Sequence, residues 1–155
     1  MTKQPQWLNA EEQEFWSLLR SSARRVERAT GGSVTANADV SLPEYSVLAA
    51  LADAPKKALR LRELCSALEW DRSRMSHQIT RMEQRGLVTK EKSNVDARGV
   101  VVRITQQGQD RVDAAKPGYV DAARRVVFDQ LDYDDIPVLQ KFLAAIVAAT
   151  DDNAD

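Results

Sequence analysis

Asp71-Arg-Ser-Arg-Met-Ser-His-Gln-Ile-Thr-Arg-Met-Glu-Gln-Arg-Gly86 is the stretch on which the fold turns. Asp71 has the short acceptor side chain of a helix N-cap, and Gly86 is placed to end the helix in the left-handed conformation. At about 100° per residue, Met75, Ile79 and Met82 share the side that must face a core. The opposite side carries Ser73, His77, Thr80 and Gln84, flanked by Ser76 on one edge and by Arg74 and Arg81 on the other, with Arg72 next to the cap. Only Glu83 brings a negative charge, and it lies on the flank. Exposed helices ordinarily alternate Glu with Lys. An acid-poor row of short polar groups and arginines instead matches the donors, acceptors and phosphates of a DNA major groove.

The flanks give this helix its setting. Upstream, Leu61, Leu64, Cys65 and Leu68 form a short amphipathic helix ending near Trp70, so two helices meet across a very short turn. Downstream, Leu87 to Lys92 and Val100 to Thr105 read as strands around a polar loop, Asn94 to Gly99. A helix-turn-helix followed by a hairpin results. Ser41-Leu42-Pro43-Glu44 opens a further helix with a cap, an early Pro and a capping-box acid; it runs from Pro43 to about Asp53 with Val47, Leu48 and Leu51 inward.

Longer helices bracket this unit. The first starts after Asn9, carries Phe15, Leu18, Leu19 and Val26 at helical spacing, and is expected to end near Thr30 at Gly31-Gly32, leaving Ser33 to Ser41 as a loop. Another is expected from about Gln106 to Leu131, bent near Pro117-Gly118, and a last one from about Asp134 to Thr150. In that last helix Ile136, Leu139, Phe142, Leu143, Ile146 and Val147 exceed what a solvent-washed terminal helix needs, which implies a partner. The expected architecture is mainly α with a small β wing: residues 1–42 and 106–155 as dimerisation helices, 43–105 as the winged helix-turn-helix.

Composition narrows function. The 155 residues contain one cysteine, Cys65, and one histidine, His77, so neither a zinc cluster nor a Ser-His-Asp or Cys-His pair is expected. No cofactor, metal or enzymatic activity is expected. Cys65, among Leu61, Leu64 and Leu68, reads as a buried, inert thiol. No apolar run is long enough to span a bilayer and Met1 to Ala10 lacks the pattern of a secretory signal, so the expected address is the cytoplasm. The net charge of -1 conceals an asymmetry: residues 56–103 hold 12 Lys and Arg against 6 Asp and Glu, whereas the rest holds 10 against 17. A basic segment on an acidic body suits a phosphate-facing module.

The run from Asp71 to Val88, with Asp96-Ala-Arg-Gly99, Ile104-Thr-Gln-Gln-Gly108 and Leu42-Pro43-Glu44-Tyr45, resembles the MarR (multiple antibiotic resistance regulator) family, and the opening Trp7-Leu8-Asn9-Ala10-Glu11-Glu12-Gln13 is similar to a branch common in actinobacteria. The resemblance implies a homodimeric transcriptional regulator, usually a repressor, reading palindromic double-stranded DNA. It places Ser73, Arg74, Ser76, His77 and Arg81 on DNA from the helix and Arg98 from the wing, where Asp96 matches a supporting acid. It also implies a small aromatic or phenolic effector seated between the dimer helices and the winged module, where Trp16 and Tyr45 are candidate lining residues. A winged helix serving only as a protein-protein interaction module is the competing reading, and it predicts no salt-sensitive DNA binding.

Overall fold

A computed structural model describes residues 6–95 and 99–151. In chain order it contains α1 (Ala10–Ala38), α2 (Leu42–Asp53), β1 (Ala58–Arg60), α3 (Leu61–Leu68), α4 (Arg72–Gln84), β2 (Val88–Lys92), β3 (Val100–Ile104), α5 (Gln106–Val126) and α6 (Ile136–Asp151), with two short 3-10 turns, Phe128–Gln130 and Tyr133–Asp135, before α6. This is the mainly helical fold with a small wing that the sequence predicts.

The caps behave as read. Asn9 accepts from the Glu12 N–H at 2.9 Å and Glu12 returns the bond at 2.8 Å, while Ser41 and Glu44 repeat the arrangement at the head of α2. The end of α1 does not. The helix runs through Gly31-Gly32 to Ala38 and closes at Asp39, whose left-handed backbone (φ 52°) lets its N–H bond Thr35 O at 3.1 Å. Two glycines weaken a helix by about 1 kcal/mol each, but Thr30, Val34 and Ala38 are buried in this stretch, and that tertiary burial overrides the local preference.

The partner of α1 is α5, capped by Thr105 on the Gly108 N–H at 3.0 Å. Its inward positions are small: Gly108, Val112, Ala115 and Ala122. A Cβ on Gly118 would stand 2.6 Å from Asn37 Nδ2 and 2.7 Å from Ser33 Oγ, so a side chain there would require these two side chains of α1 to move. Pro117 lies inside α5, which stops at Val126, five residues short of the expected Leu131. At Gly108 a Cβ would clash with the Leu87 carbonyl and come within 2.9 Å of Ile104 and 3.0 Å of Leu48. That contact seats α5 directly on the wing base.

The winged unit is organised around Leu48, Leu51, Leu64, Met75, Ile79, Met82, Leu87 and Val102, each no more than 1% exposed. Burial of one such side chain contributes about 1.5–3 kcal/mol. The sheet has the order β1-β3-β2, antiparallel throughout, with Ala58 opposite Arg103 and Val88 opposite Ile104. Strand β1 was not anticipated. In β2 only Val88 is buried, so this strand leaves the core after its first residue, whereas β3 keeps Val102 and Ile104 buried. Helix α6 has no buried residue, and its Val138, Leu139, Phe142, Leu143, Ile146 and Val147 are all exposed.

Candidate nucleic-acid interface

Helix α4 is held rigidly before it meets any ligand. Asp71 caps it on the Arg74 N–H at 2.8 Å, and Gly86, at φ 73°, turns the chain into the wing. Met75, Ile79 and Met82 are buried as read, and Gln78 joins them. Gln78 was not anticipated; its Oε1 accepts from Arg81 Nη2 at 2.7 Å, so a buried amide steers one arginine of the outer face.

The outer face is open to solvent. Arg72, Ser73, Arg74, His77, Thr80, Arg81 and Gln84 are exposed and Ser76 is half-buried, all on one 13-residue helix. The sequence-predicted helix residues are therefore brought together. Asp96 and Arg98 lie outside the described residues. The Arg74 guanidinium stacks over the Trp70 ring at 4.1 Å, a contact worth about 0.5–1 kcal/mol at an exposed site. Arg74 also lines a cleft of about 570 Å³ with Arg24, Glu27 and Arg28 of α1, Leu42, Pro43 and Ser46 of α2, and Trp70.

Glu83, the one acid of the helix, faces the wing. Its Oε2 accepts from the backbone N–H of Lys90 at 2.9 Å, while Oε1 lies 3.5 Å from Lys90 Nζ. Lys90 Nζ also reaches Thr80 Oγ1 at 3.5 Å. Helix and wing are thus joined by polar contacts beside the face that would meet DNA. On the wing's far side Arg103 Nε donates to Glu91 Oε1 at 3.2 Å and Arg103 Nη1 to the Lys56 carbonyl at 2.9 Å, tying β3 to its neighbours.

The expected effector lining is not assembled. Tyr45 is 7% exposed, its ring 4.7 Å from that of Tyr119 in the core. Burial, then the neighbouring Tyr119 and Asp53, raises its pKa above the ordinary 10.0. Trp16 instead stands on the outer surface of α1, half exposed, beside Phe15 and Leu8 in an open apolar groove of about 640 Å³. Trp16 and Tyr45 do not share a pocket: one is core, the other part of an uncovered face. Cys65 also departs from expectation. It is half-buried and lines a cleft of about 440 Å³ with Arg60, Arg62 and Arg72, so it is less enclosed than the leucines around it suggested.

Among the described residues there is no group of His, Cys, Asp and Glu able to hold a metal, and no helix is long and apolar enough to cross a membrane.

A profile of the MarR family matches residues 38–99, the span from the end of α1 to the wing. Over the whole chain the fold is similar to Sco3205, a MarR family transcriptional regulator from Streptomyces coelicolor solved in complex with DNA: TM-score 0.89, 32% identity, 94% of this chain and 91% of that one. It is similar also to AbsC of the same organism, with TM-score 0.89, 28% identity and 94% and 98% coverage. In sequence the chain is 26% identical over 148 residues to the regulator MgrA of Staphylococcus aureus, covering 95% of this chain and 96% of that protein. A helix-turn-helix with an open polar reading face, a wing joined to it and full-length agreement with such proteins lead to one conclusion: the chain belongs to the MarR family of DNA-binding transcriptional regulators.

Proposed function

We propose that the chain is a homodimeric repressor that reads a palindromic operator with α4 in successive major grooves, and that a small aromatic anion releases it. The exposed, acid-poor face of Ser73, His77, Thr80 and Gln84, bordered by Arg72, Arg74, Ser76 and Arg81, carries this reading. Arg98, supported by Asp96, is assigned to the adjacent minor groove. Residues 1–42 and 106–155 form the dimer and residues 43–105 read DNA. The apolar side of α6, joined by Phe15, which meets Phe142 edge-on at 5.7 Å, supports the second copy because among the described residues it stays largely exposed. A twofold axis would space the two α4 helices about one DNA turn, roughly 34 Å, apart. The site of action is then the cytoplasm.

For the effector, the supporting feature is the cleft between α1, α2 and the α3–α4 turn rather than Trp16 and Tyr45. Arg24, Arg28 and Arg74 line it together with Glu27 and Trp70, three cations against one carboxylate beside a flat ring, a setting for an aromatic carboxylate or phenolate. A ligand that engages Arg74 there competes with its role on DNA.

Selection of bound sites from random duplex DNA tests the reading. A palindrome with full-turn spacing, affinity falling steeply with salt, and reduced reporter transcription are expected. A stable monomer at micromolar concentration would remove the dimer. No selected site with a flat salt profile would leave the competing protein-interaction module.

A further inference from the structure

Three helix ends and a fourth helix are linked through two carboxylates, the buried Glu44 and the exposed Asp39. Glu44, in the first turn of α2, is 6% exposed, and its Oε2 accepts from the Ser41 N–H at 2.8 Å. Both oxygens also accept from Arg85 Nη1, at 2.8 and 2.7 Å. Arg85 is the C-cap of α4. Its Nη2 donates to the carbonyl of Asp39 at 2.8 Å and lies 3.3 Å from the Asp39 carboxylate, and Asp39 is the C-cap of α1. Arg111 of α5 donates to Ala38 O at 2.8 Å and approaches the same carboxylate at 3.8 Å. The Glu44 hydrogen bond holds the Arg85 guanidinium charged against the penalty of its partial burial.

The directionality of this contact matters. Met75, Ile79 and Met82 fix α4 to the core through apolar contacts, which resist separation but set orientation only through shape. A planar guanidinium gripping acceptors from two elements fixes an angle, which an ammonium at the same place does not. The grip is at the C-terminal end of α4 and joins it to α2 through Glu44 and to the end of α1 through Asp39; α1 is assigned to the dimer, and α5 reaches the same Asp39 through Arg111.

We propose that Arg85 is a positioning residue that sets the angle of α4 against the α1–α2–α5 body, and through that angle the separation of half-sites that a dimer accepts. This rests on the dimeric, DNA-reading function proposed above.

The test is selection from random duplex DNA with the wild type and with Arg85→Lys, Arg85→Gln and Asp39→Asn, together with affinity for the selected operator and for random duplex. Val112→Ala, a core truncation at a buried side chain that makes none of these polar contacts, serves as the destabilised control. The wild type should select one spacing. The Arg85 variants should recover the same half-site bases at a broadened spacing, with operator affinity lower by about tenfold and random-duplex affinity unchanged. Asp39→Asn should move in the same direction by less, and it carries the test with Arg85→Lys if Arg85→Gln does not fold. An unchanged spacing profile in folded Arg85 variants, or equal broadening in Val112→Ala, would overturn the proposal. A wild type that selects no site would overturn the DNA-reading function itself.

Discussion

The Glu83 carboxylate accepts the backbone N–H of Lys90 at 2.9 Å, so the single acid on α4 is a joint between helix and wing. Two substitutions separate its charge from its bond. Glu83→Gln keeps an acceptor, frees Lys90 from its ion pair and removes a charge close to phosphate; duplex affinity at low salt should rise by about two- to fivefold. Glu83→Ala also removes the acceptor, and stability should fall by about 1 kcal/mol, with weaker operator binding. Binding isotherms and urea unfolding of both variants check this. Tighter binding by both would show that the joint does not matter for DNA.

Residues of α4 should divide by task. Ser73→Ala and His77→Ala are expected to lose about 1 kcal/mol of discrimination against altered half-site bases, with little change on random duplex. Arg72→Ala, beside the cap, should weaken all sequences alike and lower the slope of log affinity against log salt by about 1. Titrations on operator and random duplex at several salt concentrations measure both. Identical behaviour of the three variants would contradict the assignment of faces.

Tyr45 makes alkaline pH informative. Burial raises its pKa in the folded chain above the ordinary 10.0, so the fold favours the protonated phenol. Its contribution is complete below pH 10 and declines as pH climbs from there through the folded-state value. Tyr45→Phe keeps the ring against Tyr119 and should flatten that part of the decline. Urea unfolding from pH 8 to pH 11 compares the two chains; parallel curves would refute the prediction.

Gly108 and Gly118 both sit in α5 but should respond differently to alanine. At Gly108 the new carbon meets a backbone carbonyl, Leu87 O, together with Ile104 and Leu48, and Gly108→Ala should cost about 3 kcal/mol because the wing base must shift. At Gly118 it meets the side chains of Asn37 and Ser33, which can rotate, and the gain of about 1 kcal/mol in helix propensity offsets part of the repulsion. Gly118→Ala should change stability by less than about 1 kcal/mol. Thermal unfolding ranks the pair.

Helix α4 was legible because cap, apolar period and left-handed terminator are all local: Asp71, Met75-Ile79-Met82 and Gly86 agree within one segment. The apolar excess of α6 was legible for the same reason. The end of α1 was misread because Gly31-Gly32 carries a local stop signal, whereas what extends the helix is burial of Thr30, Val34 and Ala38. Strand β1, three residues long, has no pattern of its own and exists by pairing with β3 more than forty positions away. The Glu44–Arg85 contact spans 41 positions; the sequence announced Glu44 as a capping acid but not the use of its second oxygen. Trp16 and Tyr45 show the same limit, since aromatic type alone does not separate core from surface.

Helix α6 buries none of its 16 residues within the chain. At 16 residues it is only just beyond the length of about 12–15 residues below which isolated helices are marginal in water, and in proteins most helical stability comes from packing an apolar face. Its order is therefore borrowed from whatever covers it. With a second copy as the cover, the helical content of the C-terminus becomes a second-order property: it rises and falls with protein concentration by mass action, and dilution melts α6 while the winged core remains folded.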